Sequence, residues 1–204
     1  MAKNSFSIKE SLNFGWNTFK KNWQFLVQVF IIVTLLSIVP SYLHDWSVQN
    51  LPSVSFIFSI LGWVAQMVTG IGVIVICLKF VDHKKAKFSD IYQHYNFLLS
   101  YFLGSLLYGL IIVAGLILLV IPGIYFAIKY QFFSYFIVDN KMGPWEAIKA
   151  SGKITDGVKW KLVLLGIIFA GIMILGVLIF GVGVLVAWPV VSLAGAFVYR
   201  KLSA

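Results

Sequence analysis

The sequence predicts an all-α polytopic membrane protein with six transmembrane helices arranged as three hairpins, each preceded by an amphipathic helix lying along the cytoplasmic surface. Three observations predict it. Of 204 residues, 60% are apolar and only 11% are charged, whereas a soluble domain carries roughly a quarter charged residues. Six apolar runs approach the length of about 20 residues that a helix needs to cross a bilayer. The basic residues fall between those runs in a pattern that six crossings gather on one side.

The elements follow in chain order. At the start, Ser7-Ile-Lys-Glu10 has the spacing of a capping box, in which a Ser oxygen and a Glu carboxylate satisfy free backbone N–H groups. Ile8, Leu12, Trp16, Phe19 and Trp23 then recur every three or four residues, which makes 7–21 a helix with one aromatic stripe. Such a stripe flanked by Lys sinks into the headgroup boundary. It can also pack on the protein's own segments, and the two readings are compatible. The spans are 25–42, 54–80, 99–121, 124–138, 162–179 and 182–199, which occupy more than half the chain and make 1–204 a single integral membrane domain. The fourth run is short, and the last two are divided only by Gly181 and Gly183.

Charge placement decides those two cases. With six crossings, Lys3, Lys9, Lys20, Lys21, Lys79, Lys84, Lys85, Lys87, Lys141, Lys149, Lys153, Lys159, Lys161, Arg200 and Lys201 share one face. The positive-inside rule makes that face the cytoplasm, with both termini inside. The net charge of +9 is thus a topological label, and no nucleic-acid partner is implied. The outer face offers one polar loop, 44–53, and two turns built on Pro122-Gly123 and Gly181-Val182-Gly183, where Gly and Pro supply the bend without solvation. The polar first 22 residues predict no removable signal peptide.

Segments 89–97 and 144–154 occupy the same place before the second and third hairpins as 7–21 does before the first. Gly15, Thr18 and Trp23 match Gly152, Thr155 and Trp160 at equal offsets. This suggests a threefold repeat of surface helix plus hairpin that does not invert. Any protein made of short hairpins would share part of that pattern. Small residues four apart, at Ser105 and Gly109, Gly166 and Ala170, and Ser192 and Ala196, mark expected close helix contacts.

Catalytic material is sparse. Cys77 is alone, so neither a disulfide nor a Cys-based metal site is expected. The three histidines are scattered, there is no HExxH or phosphate-binding glycine loop, and no carboxylate falls within a predicted span. No catalytic residue, metal or cofactor is therefore expected. The exception to this emptiness is Lys129 in the fourth span, about 9 Å along a helix from Gly123. A cation at that depth marks a site by default, and Tyr125, Tyr130 and Gln131 could line it to make an anion or lipid-headgroup site. The competing reading is that the Lys129 stem snorkels to the outer headgroups.

The run from Leu118 to Tyr130, the segment Phe136-Ile-Val-Asp139, the stretch Gly143-Pro-Trp-Glu-Ala-Ile-Lys-Ala-Ser151 and the tail Tyr199-Arg-Lys-Leu202 resemble a broad group of uncharacterised bacterial six-helix membrane proteins. That group is related to the membrane domain of some glycerophosphodiester phosphodiesterases. The resemblance implies a bacterial inner-membrane location. It implies no phosphodiesterase activity, because the soluble catalytic domain has no counterpart here. The expectation is a non-enzymatic module that organises lipid, or a membrane-protein partner, at the cytoplasmic leaflet, with anionic lipids as ligands. The alternative is a small transporter or lipid translocator with Lys129 lining a central cavity.

Overall fold

The computed structural model describes residues 6–179 and 181–204, and among these every regular element is helical. Lys3 lies outside the described residues. Nine α-helices run in order: α1 Ile8–Lys21, α2 Trp23–Asn50, α3 Pro52–Val81, α4 Leu98–Leu118, α5 Val120–Tyr130, α6 Phe133–Asn140, α7 Pro144–Ile154, α8 Lys159–Leu178 and α9 Val184–Ser203. Two 3-10 turns, Phe88–Ile91 and Tyr95–Phe97, lie between α3 and α4. Among the described residues, five helical segments are long and apolar enough to cross a membrane: Trp23–Asn50, Pro52–Val81, Phe88–Leu118, Lys159–Leu178 and Val184–Ser203.

Helix α1 begins as expected, with Ser7 Oγ accepting from the Glu10 N–H at 3.4 Å. The Glu10 carboxylate is turned instead toward Lys201, 3.4 Å away. The face that α1 buries is Ser11, Gly15 and Phe19, while Trp16 and Trp23 of the aromatic stripe stay exposed. The helix packs along α9, where Phe14 stacks on Phe197.

Helices α2 and α3 run antiparallel, joined at Leu51. Most of the expected polar loop 44–53 is helical: α2 continues to Asn50, and Pro52 opens α3. Proline disfavours a helical backbone at the residue before it and suits the first helical turn, so the break falls at Leu51 and nowhere earlier. His44 holds the two helices together through the Ser55 carbonyl at 3.2 Å and Ser59 Oγ at 3.1 Å.

Segment 89–97 does not form the expected amphipathic helix. The Asp90 carboxylate is buried, accepting from Lys79 at 2.7 Å and from the Lys87 backbone N–H at 2.8 Å. These bonds draw the chain into 3-10 turns against α3, where a Cβ on Gly72 would come within 2.5 Å of the Ile91 backbone.

The predicted fourth span, 124–138, is likewise not one helix. The turn after α4 falls at Leu119, whose extended backbone precedes α5, so Pro122 sits inside the first turn of α5, where its missing N–H costs nothing. Helix α5 ends at Tyr130, and α6 resumes at Phe133. The two pieces run back along α4: Gly115 faces Gly123, Tyr108 donates to the Ala127 carbonyl at 2.9 Å, and Gly104 faces Phe133 and Ile137. The expected close approach at Gly109 and Gly166 is absent, since nothing lies within 4 Å of a Cβ at either; the tight crossings use Gly115 with Gly123 and Gly176 with Gly183.

Three contacts of one kind tie the molecule together. The turn at Ile91 lies on Gly72 of α3, Gly152 of α7 lies on Lys129 and Tyr130 of α5, and Gly15 of α1 lies on Val190 and Ala194 of α9. Two of these segments thus pack on a helix that precedes them in the chain, and α1 packs on the last helix, α9. Helices α3, α6 and α9 also converge at one end. Arg200 makes a two-pronged ion pair with Asp139 at 2.7 and 3.1 Å and reaches Asp82 at 2.8 Å. Tyr199, fully buried among Phe132, Tyr135 and Phe136, donates to Asp139 at 3.0 Å.

Candidate functional site

Lys129 sits where α5 breaks. Interrupting a helix frees backbone groups that must find partners away from water. Here α7 supplies them. Ser151 Oγ donates to the Lys129 carbonyl at 3.2 Å and accepts from the Phe132 N–H at 3.1 Å, and Thr155 Oγ1 donates to the same carbonyl at 2.9 Å. Both hydroxyl side chains are fully buried. Gly152 between them lets α7 approach until the Tyr130 ring and the Lys129 stem occupy the space a side chain would fill.

The Lys129 ammonium therefore turns toward α7. It lies 5.8 Å from the Tyr125 ring centre and 5.5 Å from that of Tyr130, distances at which a cation is attracted to the face of an aromatic ring. A cavity of about 260 Å³ opens there, lined by Ile111, Lys129, Tyr130, Trp145, Ile148, Lys149, Gly152, Lys153 and Asp156. Among the described residues, Lys129, Lys149 and Lys153 make no ion pair, while the one carboxylate, Asp156, is held by Lys159 at 2.8 Å. The arrangement is three cations around a small space with an aromatic wall, and chemically it can hold an anion by charge and by N–H donation.

The four residues expected at this site separate. Lys129 and Tyr130 line the cavity. Tyr125 does not line it; its hydroxyl accepts from Lys159 at 2.8 Å and its ring carries that ammonium 4.6 Å from its centre. Gln131 is exposed and donates back to the Ile128 carbonyl at 3.1 Å, so it terminates the helix and lines nothing. In the sequence Lys149 and Lys153 fall among the basic residues expected on one face. Their signal is nonetheless present, because Trp145, Lys149, Gly152 and Lys153 share one face of α7 at spacings of three and four.

The corresponding seams elsewhere are apolar. Gly72, Lys129 and Val190 each lie ten residues before one member of the charged cluster where α3, α6 and α9 converge, namely Asp82, Asp139 and Arg200. The seam at Gly72 has a cavity of about 370 Å³ lined by residues such as Ile32, Leu36, Val68 and Ile91, and the seam at Val190 one of about 670 Å³ lined chiefly by Leu12, Trp16, Ile172, Leu175 and Val186. Among the described residues, no group of three His, Cys, Asp or Glu is placed to hold a metal ion.

Residues 105–204, covering most of α4 and everything after it, match a family model described as "Protein of unknown function (DUF975)". The whole chain is also similar to an uncharacterized protein of Mycobacterium bovis and to uncharacterized proteins from two strains of Mycobacterium tuberculosis. Each is 25% identical over 230 aligned residues that cover 100% of this chain and 70% of the relative. These matches support an uncharacterised bacterial family. No solved structure matches the chain.

Proposed function

We propose that this protein is a non-enzymatic module of the bacterial cytoplasmic membrane that crosses the bilayer six times and organises anionic lipid in the cytoplasmic leaflet, holding a lipid phosphate at Lys129, Lys149 and Lys153. The convergence of these three lysines on one cavity carries the reading. The return of α5 and α6 along α4 supports a sixth crossing, as a broken helix. On this reading both termini and nearly all the lysines are inside, where anionic headgroups add on the order of 1 kcal/mol per Lys. Exposed Trp16 and Trp145 mark the interface level. Each carries a lysine over its ring, Lys20 at 5.4 Å and Lys149 at 5.1 Å.

Native mass spectrometry of the protein released from mixed nanodiscs tests this. The wild type is expected to retain phosphatidylglycerol over phosphatidylcholine. Lys129→Met combined with Lys149→Met should lower that preference about tenfold, the worth of one charge-assisted hydrogen bond, with membrane abundance unchanged. A fall in abundance equal to the fall in retention gives these lysines a structural role instead.

A second reading, a lipid translocator, is favoured by one observation: the helix break lies beside the cation, as at the binding sites of transporters with discontinuous helices. Lipid scrambling in proteoliposomes that stops in the Lys129→Met variant would establish it.

A further inference from the structure

A second cationic cavity lies apart from Lys129 and from all three seams. It measures about 650 Å³ and opens between the last turn of α1, the first turn of α2 and the segment that follows α3. The lysines Lys21, Lys84 and Lys85 line it together with His83, three Phe rings and the polar side chains of Asn17, Thr18 and Asn22; no carboxylate does.

The local fold aims these groups. His83 has a left-handed backbone, φ 56°. Around it the Lys84 N–H reaches the Lys79 carbonyl at 2.7 Å and the His83 N–H reaches the Phe80 carbonyl at 3.2 Å. This is the bond pattern that ends a helix by reversing the chain, with His in the place Gly usually takes. The reversal turns Lys84 and Lys85 back toward α1 in place of letting them trail away from α3. Lys84 is 3.7 Å from Asp82, whose carboxylate already serves Arg200. Among the described residues, neither Lys21 nor Lys85 has a carboxylate within ion-pair distance. On the apolar side, Phe25 packs edge-on to Phe80, and Phe14 is held by Phe197.

We infer that this cleft binds an organic phosphate, with the phosphate among Lys21, Lys84 and Lys85 and the organic part against Phe14, Phe25 and Phe80. Two-sidedness is the reason. Two ammonium groups without a carboxylate, Lys21 and Lys85, beside a third whose Asp82 partner is shared with Arg200, call for a phosphate anion, and the space is two to three times that of the Lys129 cavity, with an aromatic wall that a bare ion would leave empty. A soluble phosphate ester and a lipid headgroup share this chemistry.

The full-length protein in phosphatidylcholine nanodiscs separates the two sources. Glycerol 3-phosphate is titrated there by calorimetry, and in parallel phosphatidylglycerol retention is read by native mass spectrometry after release from mixed phosphatidylcholine and phosphatidylglycerol nanodiscs. Lys21→Ala combined with Lys85→Ala should weaken the responding probe by about tenfold or more, and Lys85→Arg should restore part of it. Loss in the calorimetric arm assigns a soluble ester, whereas loss confined to retention assigns a headgroup. Thermal unfolding of each variant checks the fold, and His83→Asn, which keeps a residue tolerant of the left-handed backbone, serves as a second probe of the cleft if the double variant fails to fold. The inference is overturned if every probe binds wild type and variants alike, or if Lys149→Ala weakens glycerol 3-phosphate as much, since that places the binding at the Lys129 cavity.

Discussion

Gly15 and Gly152 occupy corresponding places in two seams, α1 on α9 and α7 on α5, and the seams are closed in different ways. At Gly15 the facing atom is backbone: a Cβ there would stand 2.5 Å from the Val190 carbonyl oxygen. At Gly152 the facing atoms belong to side chains, the Tyr130 ring at 3.1 Å and the Lys129 stem at 3.3 Å. The first seam is a backbone-to-backbone contact that cannot yield. The second leaves room for two side chains, one of them cationic, and that room opens into the cationic cavity, whereas the larger cavity beside the first seam is apolar. The polar bonds differ in the same sense. Ser11 in α1 bonds the Ser7 carbonyl at the cap of its own helix, at 2.8 Å, whereas Ser151 of α7 and its C-cap residue Thr155 hold the broken ends of a neighbouring helix. A seam that gives up tight packing to accommodate Lys129 must secure the chain by hydrogen bonds.

The comparison can be broken from either side. The largest effect is expected from Gly15→Val, where side-chain atoms would have to displace backbone. Overpacking of this kind costs about 1–3 kcal/mol or more, and thermal unfolding in detergent should show a clearly lowered midpoint or loss of folded protein. Next comes Ser151→Ala with Thr155→Val, which strands the Lys129 carbonyl and the Phe132 N–H. Buried unsatisfied groups cost about 1–3 kcal/mol each, and backbone hydrogen exchange should rise at 129–133 while α1 is unchanged; Ser11→Ala, the matched control, should cost well under half as much. The smallest effect is expected from Gly152→Ala. The helix gains about 1 kcal/mol of propensity, against a few tenths of an ångström of movement by Lys129 and Tyr130, so stability should change little. A Gly152→Ala loss as large as that of Gly15→Val would show that the two seams are equally rigid and remove the explanation for the cavity.

Much of this architecture was legible residue by residue. The Ser7 start of α1, the Pro144 start of α7, the Gly181 to Gly183 turn and the long apolar helices all rest on local chemistry: caps, proline's fixed φ and uninterrupted apolar runs. Reading failed where a neighbour decides. Nothing around Gln131 announces a helix break, because the groups that stabilise it, Ser151 and Thr155, lie about twenty residues further on. The Pro122-Gly123 pair reads as a turn, yet proline within a first helical turn is as stable as proline in a loop, and the packing of Gly123 on Gly115 selects the former. The aromatic stripe of α1 was visible, but α9 packs on the small residues beside it, since only they allow backbone contact.

The candidate site shows the same division. Lys129 stood out because a cation in an apolar run is expensive wherever it points. Composition and periodicity, which act through each residue's own solvation and backbone preferences, determined the helical class, the apolar spans and the isolation of that one lysine. Tertiary structure alone decided where the fourth apolar run breaks, that Lys129 meets Lys149 and Lys153 while Gln131 turns away, and that Arg200 gathers Asp139 and Asp82. Those outcomes depend on which surfaces fit within a few ångströms of each other, and such distances arise only when segments far apart in the chain are packed together.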